Sequence, residues 1–337
     1  MGYRHRVFGL EVLSNLALPG VPSSTVPLRI DVELFLQQRP AFLTENDLRD
    51  AEVWYVAPNE GVDGGPCSQV WRVRGGDYFR FRYGDSVEAF LDGEGARIWL
   101  DWPRPLALDD VMLYLMGNLL GFAQRLRGVT CLHASSIRIG DQAVALVGPA
   151  GAGKSSNAAG FFRMGHAILA DDVTSLFEQG GRFYVRPAHE RVWLRPDVVR
   201  HLFGALDALP QLTQKWEKRC LELTGSDLGP GLEPVPLVAI YKLRRDLEAP
   251  EPPALSPVQP RDALLTLVAN TYVNFLLDPR MRSEEFQCLG RLARAVPMCE
   301  VRSHGNPPDI RRLCERILAD VQEQAARAER SSASVRG

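Results

Sequence analysis

The chain has 337 residues, 39 Lys and Arg against 41 Asp and Glu, a formal net charge of -2 and 45% hydrophobic residues. That length suits about two domains with ample buried core, and the charge balance excludes the basic excess of a nucleic-acid binder and the composition of an acidic disordered chain. The start, MGYRHRVFGL, has no apolar signal core, and Arg6 stands where a myristoylation site needs Ser or Thr. The longest uncharged apolar run, residues 111–124, contains Asn118 and Gln124 and falls short of the ~20 residues of a membrane span. A cytoplasmic globular protein with neither nucleic-acid nor membrane partners is expected. Cys67, Cys131, Cys220, Cys288, Cys299 and Cys314 lack the paired spacing of metal or redox motifs and read as reduced, mostly packed thiols.

The first hundred residues read as strands. Runs at 3–13, 28–36, 53–57, 70–73, 78–83, 87–91 and 96–101 are rich in aromatic and β-branched residues and separated by turns such as Gly75-Gly76-Asp77. They predict an antiparallel module of α+β type. A helix comes next, with apolar residues at Met112, Leu115, Met116, Leu119, Phe122 and Ala123. Val111, Leu113, Tyr114 and Leu120 widen the stripe until the helix is apolar nearly all round, so it should be buried as the joint between the two parts of the chain.

From Cys131 the pattern changes. Strands at 131–139 and 142–147 flank the Gly140-Asp141 turn, then come a glycine-rich loop, a helix to about Met164 and an apolar strand at 167–170. Residues 173–178 and 182–185 predict another hairpin, and helices are expected near 198–203, 261–274, 283–295 and 309–323. The proline-rich stretch 248–260 reads as an exposed loop, and the polar end, 326–337, as a disordered tail.

Gly148-Pro149-Ala150-Gly151-Ala152-Gly153-Lys154-Ser155 fits the phosphate-loop (P-loop) pattern, with the required strand before it and helix after it. Glycines let successive backbone N–H groups turn inward around a phosphate, and the helix N-terminus adds a favourable dipole. Lys154 should reach the β- and γ-phosphates and the Ser155 hydroxyl should bind Mg²⁺. Asp171-Asp172 comes directly after the strand 167–170. In a β-loop-α-β unit with a right-handed crossover both strands run parallel and end on one sheet edge, which places the aspartates beside the phosphates. One carboxylate, Asp171 in the metal assignment, can hold Mg²⁺. The other can take the proton of an attacking hydroxyl, its pKa raised by repulsion between the two. A solvated acidic turn is the competing reading.

Leu132-His133-Ala134, the hairpin, the loop GPAGAGKSS, Gly165-His166 and Ala170-Asp171-Asp172 resemble bacterial HPr kinase/phosphorylase in order and spacing. The likeness is close over about residues 131–175 and weaker beyond. It implies a P-loop α/β kinase core akin to ATP-dependent phosphoenolpyruvate carboxykinase, with ATP and Mg²⁺ as cofactors and a serine on a small protein as acceptor. Carried across, Gly148 to Ser156 form the phosphate cradle, Asp172 or Asp171 is the acid/base, and His133 lies near the transferred phosphate unless it is a core histidine. His166 reads as structural. The family's glycine-containing signature with a metal-binding Glu is not matched by residues 185–191, where Glu190 is shifted. The layout is most similar to divergent HPr-kinase-like proteins that phosphorylate ribosomally made peptides, including lasso-peptide precursors. In those relatives a basic pair sits in a region like Lys218-Arg219, which is either a phosphate or substrate contact or a solvated helix face. The family's hexamers leave a homo-oligomer open.

The expected division is therefore a β-rich amino-terminal domain over 1–125, an HPr-kinase-like P-loop domain over 126–325, and the tail. The leading expectation is an ATP-dependent serine kinase acting on a peptide or small protein. A small-molecule kinase and a non-catalytic nucleotide switch are the alternatives. The amino-terminal domain either recognises a peptide by strand addition or simply covers the core.

Overall fold

The hydrophobic alternation of the amino-terminal strands produces a sheet with one buried face. A computed structural model describes residues 2–21, 23, 24, 29–61, 64–188, 191–213, 216–223, 233–246, 248 and 253–335. The strands are β1 (Tyr3–Val7), β2 (Leu10–Ser14), β3 (Val32–Leu36), β4 (Glu52–Val56), β5 (Ser68–Val73), β6 (Tyr78–Tyr83), β7 (Glu88–Asp92) and β8 (Arg97–Asp101), with a short helix α1 (Glu45–Arg49) before β4. In β6, Phe79, Phe81 and Tyr83 point into the core while Arg80 and Arg82 face outward, the period of two expected of a half-buried strand.

Two expectations change here. The run 3–13 is a hairpin turning at Phe8-Gly9 rather than one strand. The sheet, ordered β1-β2-β3-β8-β7-β6-β5-β4, is not wholly antiparallel, because β3 runs parallel to both β2 and β8. A parallel neighbour needs a crossover, and the long connection between Ser14 and Val32 supplies it.

The linking helix runs as α2 (Leu108–Tyr114), a π-helical stretch Leu115–Leu119 and α3 (Leu120–Leu126). Its apolar girdle is buried as expected. Phe122 meets Phe79 and Phe81 edge-on, at 4.9 and 5.9 Å between ring centres. On its other side, Gly117 and Gly121 leave room for the ring of Tyr272, which a Cβ at Gly121 would approach to 2.6 Å. Arg125 closes the joint through a buried ion pair with Glu285 at 2.6 Å, to which the Thr130 hydroxyl also donates at 2.9 Å. Removing one partner strands a buried charge. Glu285→Ala should therefore cost about 3–5 kcal/mol of stability, read as a lower urea midpoint.

The second sheet contains β9 (Thr130–Leu132), β10 (Ala134–Ile139), β11 (Gln142–Val147), β12 (Ile168–Ala170), β13 (Thr174–Gln179) and β14 (Arg182–Arg186). A separate two-stranded ribbon pairs β15 (Arg191–Leu194) with β16 (Arg219–Glu222). The long β17 (Val235–Arg245), β18 (Ala254–Val258) and β19 (Met298–Ser303) complete the set. Helices α4 (Lys154–Arg163), α5 (Pro196–Phe203), α6 (Pro260–Ala269), α7 (Pro279–Ala295) and α8 (Asp309–Val335) cover the faces. The central order is β12-β10-β11-β17, with β11 parallel to β17 and antiparallel to β10. β12 is antiparallel to β10, so it runs in the same direction as β11 with β10 between them. Strands β11 and β12 thus end on one edge, through an intervening strand that the simple β-loop-α-β reading lacked.

Three local expectations are corrected. Part of the proline-rich stretch is strand β18, paired with β19, and its Pro257 is tolerated because β18 forms a sheet edge. Arg219 opens strand β16, so the Lys218-Arg219 pair does not lie on a helix. The tail expected to be disordered from 326 is instead the end of α8, which continues to Val335 through the helix-favouring run Gln-Ala-Ala-Arg-Ala-Glu-Arg. All six cysteines are free thiols, with Cys131, Cys220 and Cys314 buried. Among the described residues, no helix is long and apolar enough to cross a membrane.

Candidate active site

The site forms where β11 ends. Buried Val144 to Val147 run into a loop that starts at Gly148 and ends at Gly153, and α4 begins at Lys154. Gly148 has φ +150°, and a Cβ there would come within 2.9 Å of the Leu243 carbonyl oxygen on β17, so only glycine lets the loop leave the sheet this way. The Gly148 N–H donates to Asn270 Oδ1 at 3.1 Å. Residues Ala150 to Asn157 border a cleft of ≈ 430 Å³, with the N-terminus of α4 at its floor. Ser156 lies in that border, while Pro149 contributes its carbonyl.

Lys154 is only 7% exposed. Its ammonium donates to the carbonyls of Gly148 at 2.9 Å and Pro149 at 3.3 Å. Burial pushes its pKa down, against the pull of the Asp172 and Asp171 carboxylates. The side chain is folded back on its own loop, within the electrostatic reach of both aspartates.

The aspartate pair sits after β12 in a tight turn. Asp172 has φ +67°, and the Val173 N–H bonds the Asp171 carbonyl at 2.8 Å, closing a three-residue turn of a kind that is rare and strained. The turn sends the two carboxylates into different surroundings. Asp171 is buried and accepts a hydrogen bond from the Ser135 hydroxyl, on β10, with the Ser155 hydroxyl, at the start of α4, near enough to act on its pKa. Burial, with the neighbouring Asp172 charge, holds its pKa above the ordinary carboxylate value, although the two hydroxyls oppose this.

Asp172 opens into the cleft with 53% of its side chain exposed. Desolvation on its own would raise its pKa. The His133 contact, the Tyr272 hydrogen bond and the Lys154 charge together outweigh it and hold the carboxyl below its usual value. His133 Nε2 lies 3.2 Å from Asp172 Oδ1, and the Tyr272 hydroxyl donates to Oδ2 at 3.2 Å. The pKa elevation expected for the proton acceptor therefore falls on Asp171. Asp172 is the stronger acid of the pair.

His133 sits between β9 and β10 with 40% of its side chain exposed, so it is not a core histidine. Its backbone N–H donates to the Asn270 carbonyl at 2.7 Å, and the Tyr272 N–H donates to the Cys131 carbonyl at 2.8 Å. The segment after α6 is thereby pinned beside the histidine. Asn270, Tyr272 and Ser135 are site residues that sequence reasoning missed. The helix expected over 261–274 ends at Ala269, and the next residues form a turn around Val273.

The basic pair separates. Lys218 borders the cleft beside Trp193 and Arg195 and lies over the Trp216 ring, 5.2 Å from its centre. Arg219 is not part of that border and hydrogen-bonds Gln211. His166 packs its ring edge-on against Phe161 at 6.0 Å, away from the cleft. Glu190 lies outside the described residues.

Ser155 and Asp171 form an all-oxygen pair, the donor chemistry of Mg²⁺, which takes one or two protein ligands and completes its shell with phosphates and water. Among the described residues no cluster of three or more His, Cys, Asp or Glu forms an all-protein metal cage. Because the Tyr272 hydrogen bond lowers the Asp172 pKa, Tyr272→Phe should raise it. The acid limb of a pH–rate profile that depends on ionised Asp172 should then move to higher pH, a shift that simple loss of packing does not produce.

No family model matches the chain, and no curated protein matches it. Among solved structures it is similar to the Hpr(Ser) kinase/phosphatase from Coxiella burnetii, at 15% identity and a TM-score of 0.31, over 59% of this chain and 98% of that one. A likeness at that level carries no weight for function, which rests on the residues of the cleft.

Proposed function

We propose that the chain transfers the γ-phosphoryl group of ATP, with Mg²⁺, to a serine hydroxyl on a peptide or small protein. The observation that carries this reading is the division of labour between adjacent carboxylates. Asp171 is buried near the Ser155 hydroxyl with its pKa raised, and Asp172 opens into the cleft between His133 and Tyr272 with its pKa lowered. Neighbouring acids whose surroundings drive their pKa values apart are the usual mark of two different roles.

The loop N–H groups and Lys154 bind and orient the phosphates, Lys154 swinging from the Gly148 carbonyl to a phosphate oxygen. Ser155 and Asp171 would hold Mg²⁺, which supplies neutralising charge on the phosphates. Asp172 accepts the hydroxyl proton as the serine oxygen bonds to phosphorus. The bond from phosphorus to the bridging oxygen breaks with its electron pair remaining on ADP. His133 holds Asp172 Oδ1 in place and can relay the proton to solvent. The serine and peptide specificity comes from the sequence resemblance, including the precursor-peptide relatives.

The test is mass spectrometry after incubation with labelled Mg-ATP and candidate acceptors. Phosphate on a peptide serine supports the proposal. Phosphate only on metabolites makes the chain a small-molecule kinase, and tight nucleotide binding with no product makes it a switch; either result rejects the proposal.

A further inference from the structure

Among the described residues after 126, the large apolar side chains that stand exposed are Leu265, Val268, Phe275 and Phe286. All of them lie on α6, on α7 or in the turn between. In that turn Val273 has φ +46°, a strained setting for a β-branched side chain. Three contacts hold it: the Tyr272 N–H donates to the Cys131 carbonyl, the Trp54 indole N–H donates to the Leu276 carbonyl at 3.3 Å, and the Tyr55 ring stacks on Phe275 at 4.1 Å. The turn shapes a hollow bordered by His133, Thr271, Asn274 and Phe275. The last three also border a groove whose other walls include Val268 of α6 and Phe286 of α7.

From this arrangement we infer that the hollow and the groove form a docking surface for the part of an acceptor peptide outside its reacting residue. A bulky apolar side chain of the peptide packs against Val268 and Phe286, and an acidic one meets Arg282. The inference rests on the proposed kinase reading, which supplies the acceptor, and adds where the peptide is gripped and by which side chains. His133 borders both the hollow and the loop cleft and contacts Asp172, so a chain lying in the hollow passes beside the reacting carboxylate's partner.

Exposed apolar side chains gathered in one place and rimmed by polar groups mark a surface that a partner removes from water. The rim here is unsatisfied. Asn274 is exposed, and its side-chain amide makes no hydrogen bond among the described residues, so it can serve a peptide N–H or carbonyl. Arg282 borders the groove with its Nε donating to the Leu277 carbonyl at 2.9 Å, and no carboxylate among the described residues pairs with its guanidinium. The acid that shares the groove, Glu285, is already taken by Arg125. An unanswered positive charge therefore stands beside the apolar walls, and an acidic side chain complements it where a basic one is repelled. The held turn keeps these groups in place before anything binds, which lowers the ordering cost of docking. The wall shared with the cleft at His133 and the charge at Arg282 favour an acceptor peptide over a second copy of the chain, which needs neither.

Phe286 and Arg282 are exposed and lie outside the catalytic set, which makes them the residues to vary. The probes are synthetic peptides with one Ser, a Phe or Ala at each successive position on either side of it, and a Glu or Lys beyond. Labelled copies with Ala for Ser report binding by fluorescence anisotropy without transfer, and Mg-ATP is the donor for turnover. Wild type should favour the peptides that carry Phe and Glu. Phe286→Ser should weaken their binding and raise their KM by about tenfold, with kcat and nucleotide affinity unchanged, and should leave the peptides lacking Phe as they were. Arg282→Glu should reverse the preference from Glu to Lys, a gain that a folding defect does not produce. Both variants matching wild type on every peptide overturns the docking surface and leaves the kinase reading standing. A wild-type dimer in sedimentation that Phe286→Ser dissociates gives the face to a second copy and also overturns it. Peptide binding with the expected variant effects but no transfer overturns the kinase reading and keeps the surface. Neither binding nor transfer overturns both.

Discussion

Asp172→Asn should bind nucleotide as wild type does and lose nearly all phosphoryl transfer. The amide keeps the size of the carboxylate and can still accept the Tyr272 hydrogen bond on its carbonyl oxygen. It cannot take a proton. Loss of a positioned proton acceptor typically costs about 10²–10⁴-fold in rate, and here the same change also removes a negative charge facing Lys154. The proposed nucleotide contacts belong to the loop and α4, which Asp172 does not build, so affinity measured by calorimetry should hold. Turnover within tenfold of wild type, an order-of-magnitude threshold far below that range, would remove Asp172 from the chemistry. An acidic solvated turn would then be all that the pair represents.

The second large effect is Lys154→Ala. In the proposed reaction this ammonium leaves the loop carbonyls it now bonds and follows charge onto the transferring phosphoryl group. Removing one preorganised donor of that kind lowers kcat by about 10²–10³-fold. Affinity should fall as well, because in the proposed reaction Lys154, unlike Asp172, contacts the phosphates before and during transfer. Turnover measured at saturating ATP separates the two effects. A near-normal kcat under those conditions would rule out the phosphate-loop role.

The loop itself was legible because everything it needs is local. The apolar strand, the glycine where the Leu243 carbonyl crowds the backbone, and the helix start lie within a dozen consecutive residues. The aspartate pair was legible for the same reason, as two acids closing a short apolar strand. Their separate roles were not. Whether Asp171 or Asp172 meets Ser155 depends on the strained turn at Asp172 and on Ser135, 36 residues earlier on β10. Tyr272 reaches Asp172 across 100 residues of chain, and Asn270 reaches Gly148 across 122. A lone Tyr or Asn after an apolar helix carries no spacing signal for such contacts.

The Lys218-Arg219 pair makes the same point at short range. Lys218 precedes the strand that Arg219 opens, so one lines the cleft and its neighbour pairs with Gln211. The linking helix was readable as buried from its apolar girdle, but not as a wall of the site. Gly117 and Gly121 matter because they admit the Tyr272 ring, and that ring is held by the strand-to-turn bonds at Cys131.

By itself, then, the sequence determined the phosphate-loop pattern, the acids that come after it, and a β-rich half joined to a second half by a buried helix. Each of these depends on residues within a few turns or strands of one another, where backbone geometry and hydrophobic periodicity act directly. Only the tertiary structure decided which acid is buried and which opens into the cleft, which cation faces the cleft, and that the linking helix packs against the Tyr272 ring. Those outcomes depend on burial and on hydrogen bonds between segments far apart in the chain, and burial exists only once the two sheets and the helix between them have closed on a common core.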